Sequence, residues 1–149
     1  MNDEWETQDD LYQVLDNEFS FDFDLCANKE NAKTSAYSSD IEDFVICTDV
    51  HLYDNYWMNP PYSRGNIDKC MVSADIMNGH SKMVVTLTRF DPTADWFKNC
   101  IDGVAAEVRM LDKRLKFKGA DSSYPFPCCV SIFYGERIKQ TDYYIWGWK

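Results

Sequence analysis

Glycine is scarce in this chain, and none occurs before Gly65. A glycine-rich turn after the first strand, where backbone closes on a nucleotide-like ligand, is therefore absent. Basic residues are also missing early: only Lys29 and Lys33 precede His51. With 15 Lys and Arg against 25 Asp and Glu, the formal charge is −10, which at long range repels a polyanion and argues against sequence-independent nucleic-acid binding. No apolar run approaches the length of a membrane span, and the acidic start Asn2-Asp3-Glu4 is unlike a basic signal sequence; the expected location is the cytoplasm. The six cysteines contain no CxxC pair, so neither a zinc centre nor a disulfide framework is expected. Buried free thiols are the simpler reading.

What is present is enough apolar residue, 45% of 149, for one domain spanning 1–149. Leu11, Val14, Leu15 and Phe19 recur at helical spacing after Thr7, with Asp10 suited to the first turn. Phe19, Phe21, Phe23 and Leu25 then alternate with Ser20, Asp22 and Asp24, which predicts a strand ending near Asp24. Asn28 to Ala36 reads as helix or loop, and Phe44 to Cys47 as a short strand. Asn55 to Met58 is a further strand candidate. It must stop at Pro60-Pro61, because proline donates no ladder hydrogen bond. A helix through Ile67, Cys70, Met71 and Ala74 is predicted to close at Asn78-Gly79, followed by a buried strand at Met83 to Leu87. Asp91-Pro92 is predicted to cap a helix carrying Trp96, Phe97 and Ile101. Strands are expected at Val104–Leu111, Arg114–Phe117, Cys128–Tyr134 and Tyr143–Trp148. This order gives an α/β fold on a mixed sheet with antiparallel edge strands.

In such sheets ligands collect at the carboxyl ends of the strands, where both Asp24 and Asn59 are expected. Asn59-Pro60-Pro61-Tyr62 is the main catalytic candidate. An exocyclic amine is a weak nucleophile, because its lone pair is delocalised into the ring. Asn59 offers a side-chain carbonyl and Pro60 a stiffly held backbone carbonyl to accept its N–H groups, and Tyr62 an aromatic face for stacking. Positioning for in-line transfer is then the main catalytic device. On residues alone the tetrapeptide could equally be a turn.

A resemblance extends the reading. Trp5-Glu6-Thr7-Gln8, the segment Phe21 to Ala27, Glu30-Asn31-Ala32-Lys33 and the core Trp57 to Ser63 fall in order along the chain. So do Trp96-Phe97, Arg114-Leu115-Lys116-Phe117 and Phe126-Pro127. This ordered pattern resembles the phage-type DNA N6-adenine methyltransferases, with Gln8 standing where that pattern has proline. The resemblance implies a compact Rossmann-like methyltransferase fold and S-adenosylmethionine as donor. It implies adenine in DNA as acceptor, and a role in protecting phage DNA from host nucleases. It also implies cofactor contacts from Thr7, Asp24, Cys26 and Ala27, where the Asp24 carboxylate suits an α-ammonium group.

Arg109, Lys113, Arg114, Lys116 and Lys118 form a basic stretch, which on charge alone reads as a solvated strand face and otherwise as a phosphate-contacting strip, with Arg114, Lys113 and Lys116 its expected contacts. His51 and His80 lie near polar loops and are expected at the surface, whereas Trp96, Phe97, Phe117, Phe126 and Phe133 are expected in the core. Two alternatives remain open on sequence. The same loop could serve an RNA or a protein glutamine acceptor, or the acidic first third could mimic DNA on a non-catalytic scaffold.

Overall fold

The computed structural model describes residues 6–39, 52–63 and 65–149. The predicted strand at Phe44–Cys47, with His51, lies outside them.

The first helix, α1 (Asp9–Phe19), forms because Leu11, Leu15 and Phe19 share one face and are buried together with Tyr12. Complete burial of Leu11 and Leu15 contributes about 1.5–3 kcal/mol each. Asp9 and Asp10 occupy its first turn, where negative charge suits the helix dipole. It ends at Ser20, a left-handed residue (φ 52°) whose N–H donates to Asp16 O at 2.8 Å. The helix therefore takes Phe19 away from the predicted strand, and β1 is only Phe23–Asp24. The alternation was nonetheless a true packing signal, since Phe21, Phe23 and Leu25 are buried and Asp22 is exposed.

Asn28 to Ala36 is a chain of turns rather than a helix. β2 (Asn55–Met58) lies parallel to β1, with Asp24 beside Trp57. The loop after it turns through Gly65 (φ 90°) into α2 (Asn66–Gly79), which leads to β3 (Met83–Arg89), parallel to β2. Then come α3 (Asp95–Cys100), β4 (Glu107–Leu111), β5 (Cys128–Phe133) and β6 (Asp142–Trp146).

The six strands form one mixed sheet in the order β1-β2-β3-β5-β4-β6. β5 alone runs against its neighbours, between β3 and β4, and β6 at the edge is parallel to β4. The expected antiparallel edge is thus corrected: the reversed strand lies inside the sheet. Its six residues are all buried, as an interior strand requires.

Two further expectations fail for local reasons. Arg114–Phe117 forms no strand, because this segment hydrogen-bonds to the N-terminal segment instead: Lys116 N–H donates to Gln8 Oε1 (3.0 Å) and Lys118 N–H to Glu6 O (2.9 Å). Asp91 does not cap α3. Its carboxylate accepts from the Thr93 N–H (3.3 Å) and hydroxyl (2.6 Å), closing a turn that delays the helix to Asp95.

The described cysteines are free, with Cys70, Cys100, Cys128 and Cys129 buried and Cys26 half-buried. Among the described residues, no helix is long and apolar enough to cross a membrane, and no cluster of His, Cys, Asp and Glu is arranged to hold a metal.

Candidate active site

The carboxyl ends of β1 and β2 lie side by side, and the chain leaves each at a candidate residue. Leu25 N–H donates to Trp57 O (2.9 Å), which locks the two exits together. Trp57 is 1% exposed and packs edge-on against Tyr12 of α1 (5.5 Å), so the helix is fixed to the same end of the sheet.

Asp24 is 3% exposed. Its Oδ2 accepts the Lys33 N–H (2.9 Å) and its Oδ1 the Cys26 N–H (3.4 Å). Burial outweighs these bonds and pushes the carboxyl up to about 6. A buried carboxylate held by backbone donors, with no side-chain cation bonded to it among the described residues, suits a cationic partner. Cys26 Sγ lies 3.7 Å from Cys70 Sγ, and this contact, with burial, keeps the Cys26 thiol protonated. Ala27 is buried at the end of the same turn.

Asn59 projects from the end of β2, and its Nδ2 donates to Thr7 Oγ1 at 3.0 Å. Thr7 is 1% exposed and makes no cap on α1, whose N-cap residue is Gln8. With its amide nitrogen engaged, Asn59 presents Oδ1 as an acceptor. Among the described residues neither Asn59 Oδ1 nor the Pro60 carbonyl receives a hydrogen bond.

Tyr62 is 5% exposed. Its hydroxyl donates to Leu87 O (2.9 Å), its carbonyl accepts from Arg89 Nη1 (3.2 Å), and its ring meets Tyr124 and Phe117 edge-on. The Asn59–Tyr62 loop is therefore clamped from its far end by β3.

Glu6, Thr7, Asp24, Cys26, Asn31, Lys33, Trp57 and Asn59 surround a cleft of about 20 Å³. That is room for about one water, well short of the roughly 300–1,000 Å³ of small-molecule pockets. Two of its walls are joined across it, since Lys33 Nζ lies 2.7 Å from Glu6 Oε2. A larger recess of about 570 Å³ sits at the opposite end of the sheet, among Asn78, Ser81, Gly135 and Glu136. There Gly135 (φ 76°) passes so near Ser81 that a Cβ would lie 2.5 Å from its carbonyl carbon. None of the candidate residues reaches that recess.

The basic stretch divides. Arg109 is 6% exposed, bonded to both Glu18 oxygens (2.7 and 2.6 Å) and to Glu107 (2.8 Å). Lys118 pairs with Glu6 and Asp9. Both are structural, contrary to their place in the expected strip. Lys113, Arg114 and Lys116 are exposed, and Lys116 is adjacent through Gln8 to Thr7 and so to Asn59. Phe126, expected in the core, is 55% exposed, with its ring against Tyr124 (5.5 Å) and through it near Tyr62. Sequence reasoning passed over Glu6 and Lys33 as cleft residues, although each lies within a segment that carried the family resemblance.

A mixed α/β sheet with an Asn-Pro-Pro-Tyr loop beside a buried carboxylate is the class of architecture these residues define. The profile of the DNA N-6-adenine-methyltransferase (Dam) family matches residues 1–129, and the chain belongs to that family. A DNA N-6-adenine-methyltransferase of Haemophilus phage HP1 (strain HP1c1) is 29% identical over 98 residues, 65% of this chain. The match spans 54% of that relative, so the chain covers about half its length.

Proposed function

We propose that this chain is an S-adenosylmethionine-dependent methyltransferase of Rossmann-like fold that modifies N6 of adenine in DNA. The observation that carries the reading is Asn59 Oδ1, left as an acceptor in the cleft it shares with Asp24, with the unbonded carbonyl of buried Pro60 next in the chain. Family membership supports adenine as the group they receive.

The donor chemistry of the cleft fits the cofactor. Asp24 would hold its ammonium group, with Thr7 and Cys26 as neighbouring walls and Ala27 buried next in the chain, once the cleft opens. When bound, S-adenosylmethionine supplies an electrophilic methyl group. Asn59 Oδ1 and Pro60 O would accept the two N–H bonds of the target amine, favouring a pyramidal and more nucleophilic nitrogen. No basic side chain is needed, because the proton leaves after transfer. Arg89 and Leu87 hold the loop still through Tyr62.

A duplex adenine must leave the stack to reach this loop, at a cost of roughly a few kcal/mol. Stacking on an aromatic ring returns on the order of 1–3 kcal/mol; Tyr62, expected from sequence to stack, is buried between Phe117 and Tyr124, so the exposed Phe126 is the ring proposed for it. Lys113, Arg114 and Lys116 are the proposed phosphate contacts on an otherwise acidic protein, which acts in the cytoplasm where its DNA resides.

The test is incubation with methyl-labelled S-adenosylmethionine and unmethylated DNA, with RNA and a glutamine peptide as parallel acceptors. Label in N6-methyladenine of DNA supports the proposal. Cofactor binding with label confined to RNA or peptide, or with none transferred, sinks it.

A further inference from the structure

Lys33 is the second buried charge of the cleft, and its partner there is unusual. Its side chain is 8% exposed, with Nζ 2.7 Å from Glu6 Oε2 and 3.1 Å from Asp9 Oδ1. Its backbone N–H meanwhile donates to Asp24 at 2.9 Å. One residue thus ties the buried carboxylate to a buried ammonium, and both line the same small space as Asn59. A fixed negative group beside a fixed positive one is the complement of an α-amino acid zwitterion. Its ammonium pairs with the first and its carboxylate with the second.

Glu6 fills the anion half of that arrangement. Its Oε2 is bonded to Lys33 at the cleft wall and, at the same time, to Lys118 Nζ at 3.1 Å. Lys118 is 46% exposed, so Glu6 keeps a cationic partner near solvent when it gives up Lys33. The cleft of about 20 Å³ is what remains while Glu6 is in place.

We infer that Lys33, with Asp24, forms a zwitterion subsite for the amino-acid end of the cofactor, and that Glu6 is an internal carboxylate which occupies the anion position until the ligand displaces it. This rests on the proposed methyltransferase reading. It assigns Lys33 to the ligand's carboxylate and makes Glu6 a competitor for the same cation.

The experiment measures binding of two adenosine thioethers by calorimetry. S-adenosylhomocysteine carries the α-amino acid group, and 5′-methylthioadenosine lacks it. Lys33→Met should weaken S-adenosylhomocysteine at least tenfold and leave 5′-methylthioadenosine within twofold, the second ligand reporting that the variant is folded. Lys33→Arg should restore most of the loss. Glu6→Gln, which removes the nearer of the two carboxylates paired with Lys33 and leaves Asp9 in place, should tighten S-adenosylhomocysteine several-fold with no change for 5′-methylthioadenosine. Equal effects of Lys33→Met on both ligands, or none on either, overturn the inference, as does weaker S-adenosylhomocysteine binding by Glu6→Gln. If the unsubstituted protein binds neither ligand, the cofactor reading fails first and takes the subsite with it.

Discussion

Asn59 Nδ2 donates to Thr7 Oγ1 at 3.0 Å, joining the loop after β2 to the segment that enters α1. The bond sets which way the Asn59 amide faces, and leaves its oxygen as the acceptor proposed for the target amine. Thr7→Val removes the hydroxyl at nearly constant volume. The amide can then rotate, so kcat should fall about 10–100-fold while cofactor affinity stays within about threefold. Thr7→Ser should recover most of the rate. Steady-state kinetics with a binding isotherm separates this from a direct cofactor contact, for which affinity would fall and kcat would hold.

Asp24 sets the pH dependence. Burial raises its carboxyl from 3.8 to about 6, so the empty cleft is protonated in mild acid and charged above neutrality. Binding of an ammonium group needs the charged form. Cofactor affinity should therefore be flat above about pH 7 and fall towards tenfold per pH unit below about 6. The sign for the ligand-free fold is opposite. A raised carboxyl contributes stability that is full below its unfolded value and lost as pH rises through its folded one. Calorimetry between about pH 5 and pH 8 tests the first, and thermal melts between about pH 3.5 and pH 7, which bracket the unfolded and folded values, test the second. Asp24→Asn should flatten each relative to the unsubstituted protein.

Lys113, Arg114 and Lys116 predict the salt dependence of DNA binding. Removing one phosphate-binding cation should lower the slope of log K against log salt by about 0.9. Arg114→Gln should remove about one such unit, and neutralising all three about 2.7. Fluorescence titration from low to moderate salt is the measurement, and an unchanged slope would move the DNA to another face.

Arg109 should behave differently from its neighbours in sequence. It bridges α1 and β4 through Glu18 and Glu107, and its guanidinium lies 4.9 Å from the centre of the Trp146 ring. Arg109→Met leaves the half-exposed Glu18 without its cation and leaves Glu107 to the Tyr144 hydroxyl, and should cost roughly 1–3 kcal/mol, a fall of about 5 °C in Tm. The salt slope of DNA binding should not change.

Pro60-Pro61 ends β2 in any fold, because proline cannot donate to a ladder, so the end of the strand and the loop after it were legible from sequence. The apolar runs of β3 and β5 and the stripe of α1 were legible for a similar reason: burial on both faces, or on one, leaves its period in the chain.

The division of the basic stretch was not legible. Arg109 and Arg114 are the same residue type five positions apart, and only α1 packing over β4 brings Glu18 to one of them. Nor could sequence place β5 between β3 and β4, since every antiparallel order satisfies the same hydrophobic pattern. The N-terminal segment is the clearest case. Its residues determined by themselves that a helix starts near Thr7. That Thr7 would hold Asn59, and Glu6 would hold Lys33, depended on residues 6–8 being bound against 116–118, a pairing of distant segments that no local propensity encodes. Sequence determined the local chemistry, and long-range pairing decided which groups face one another.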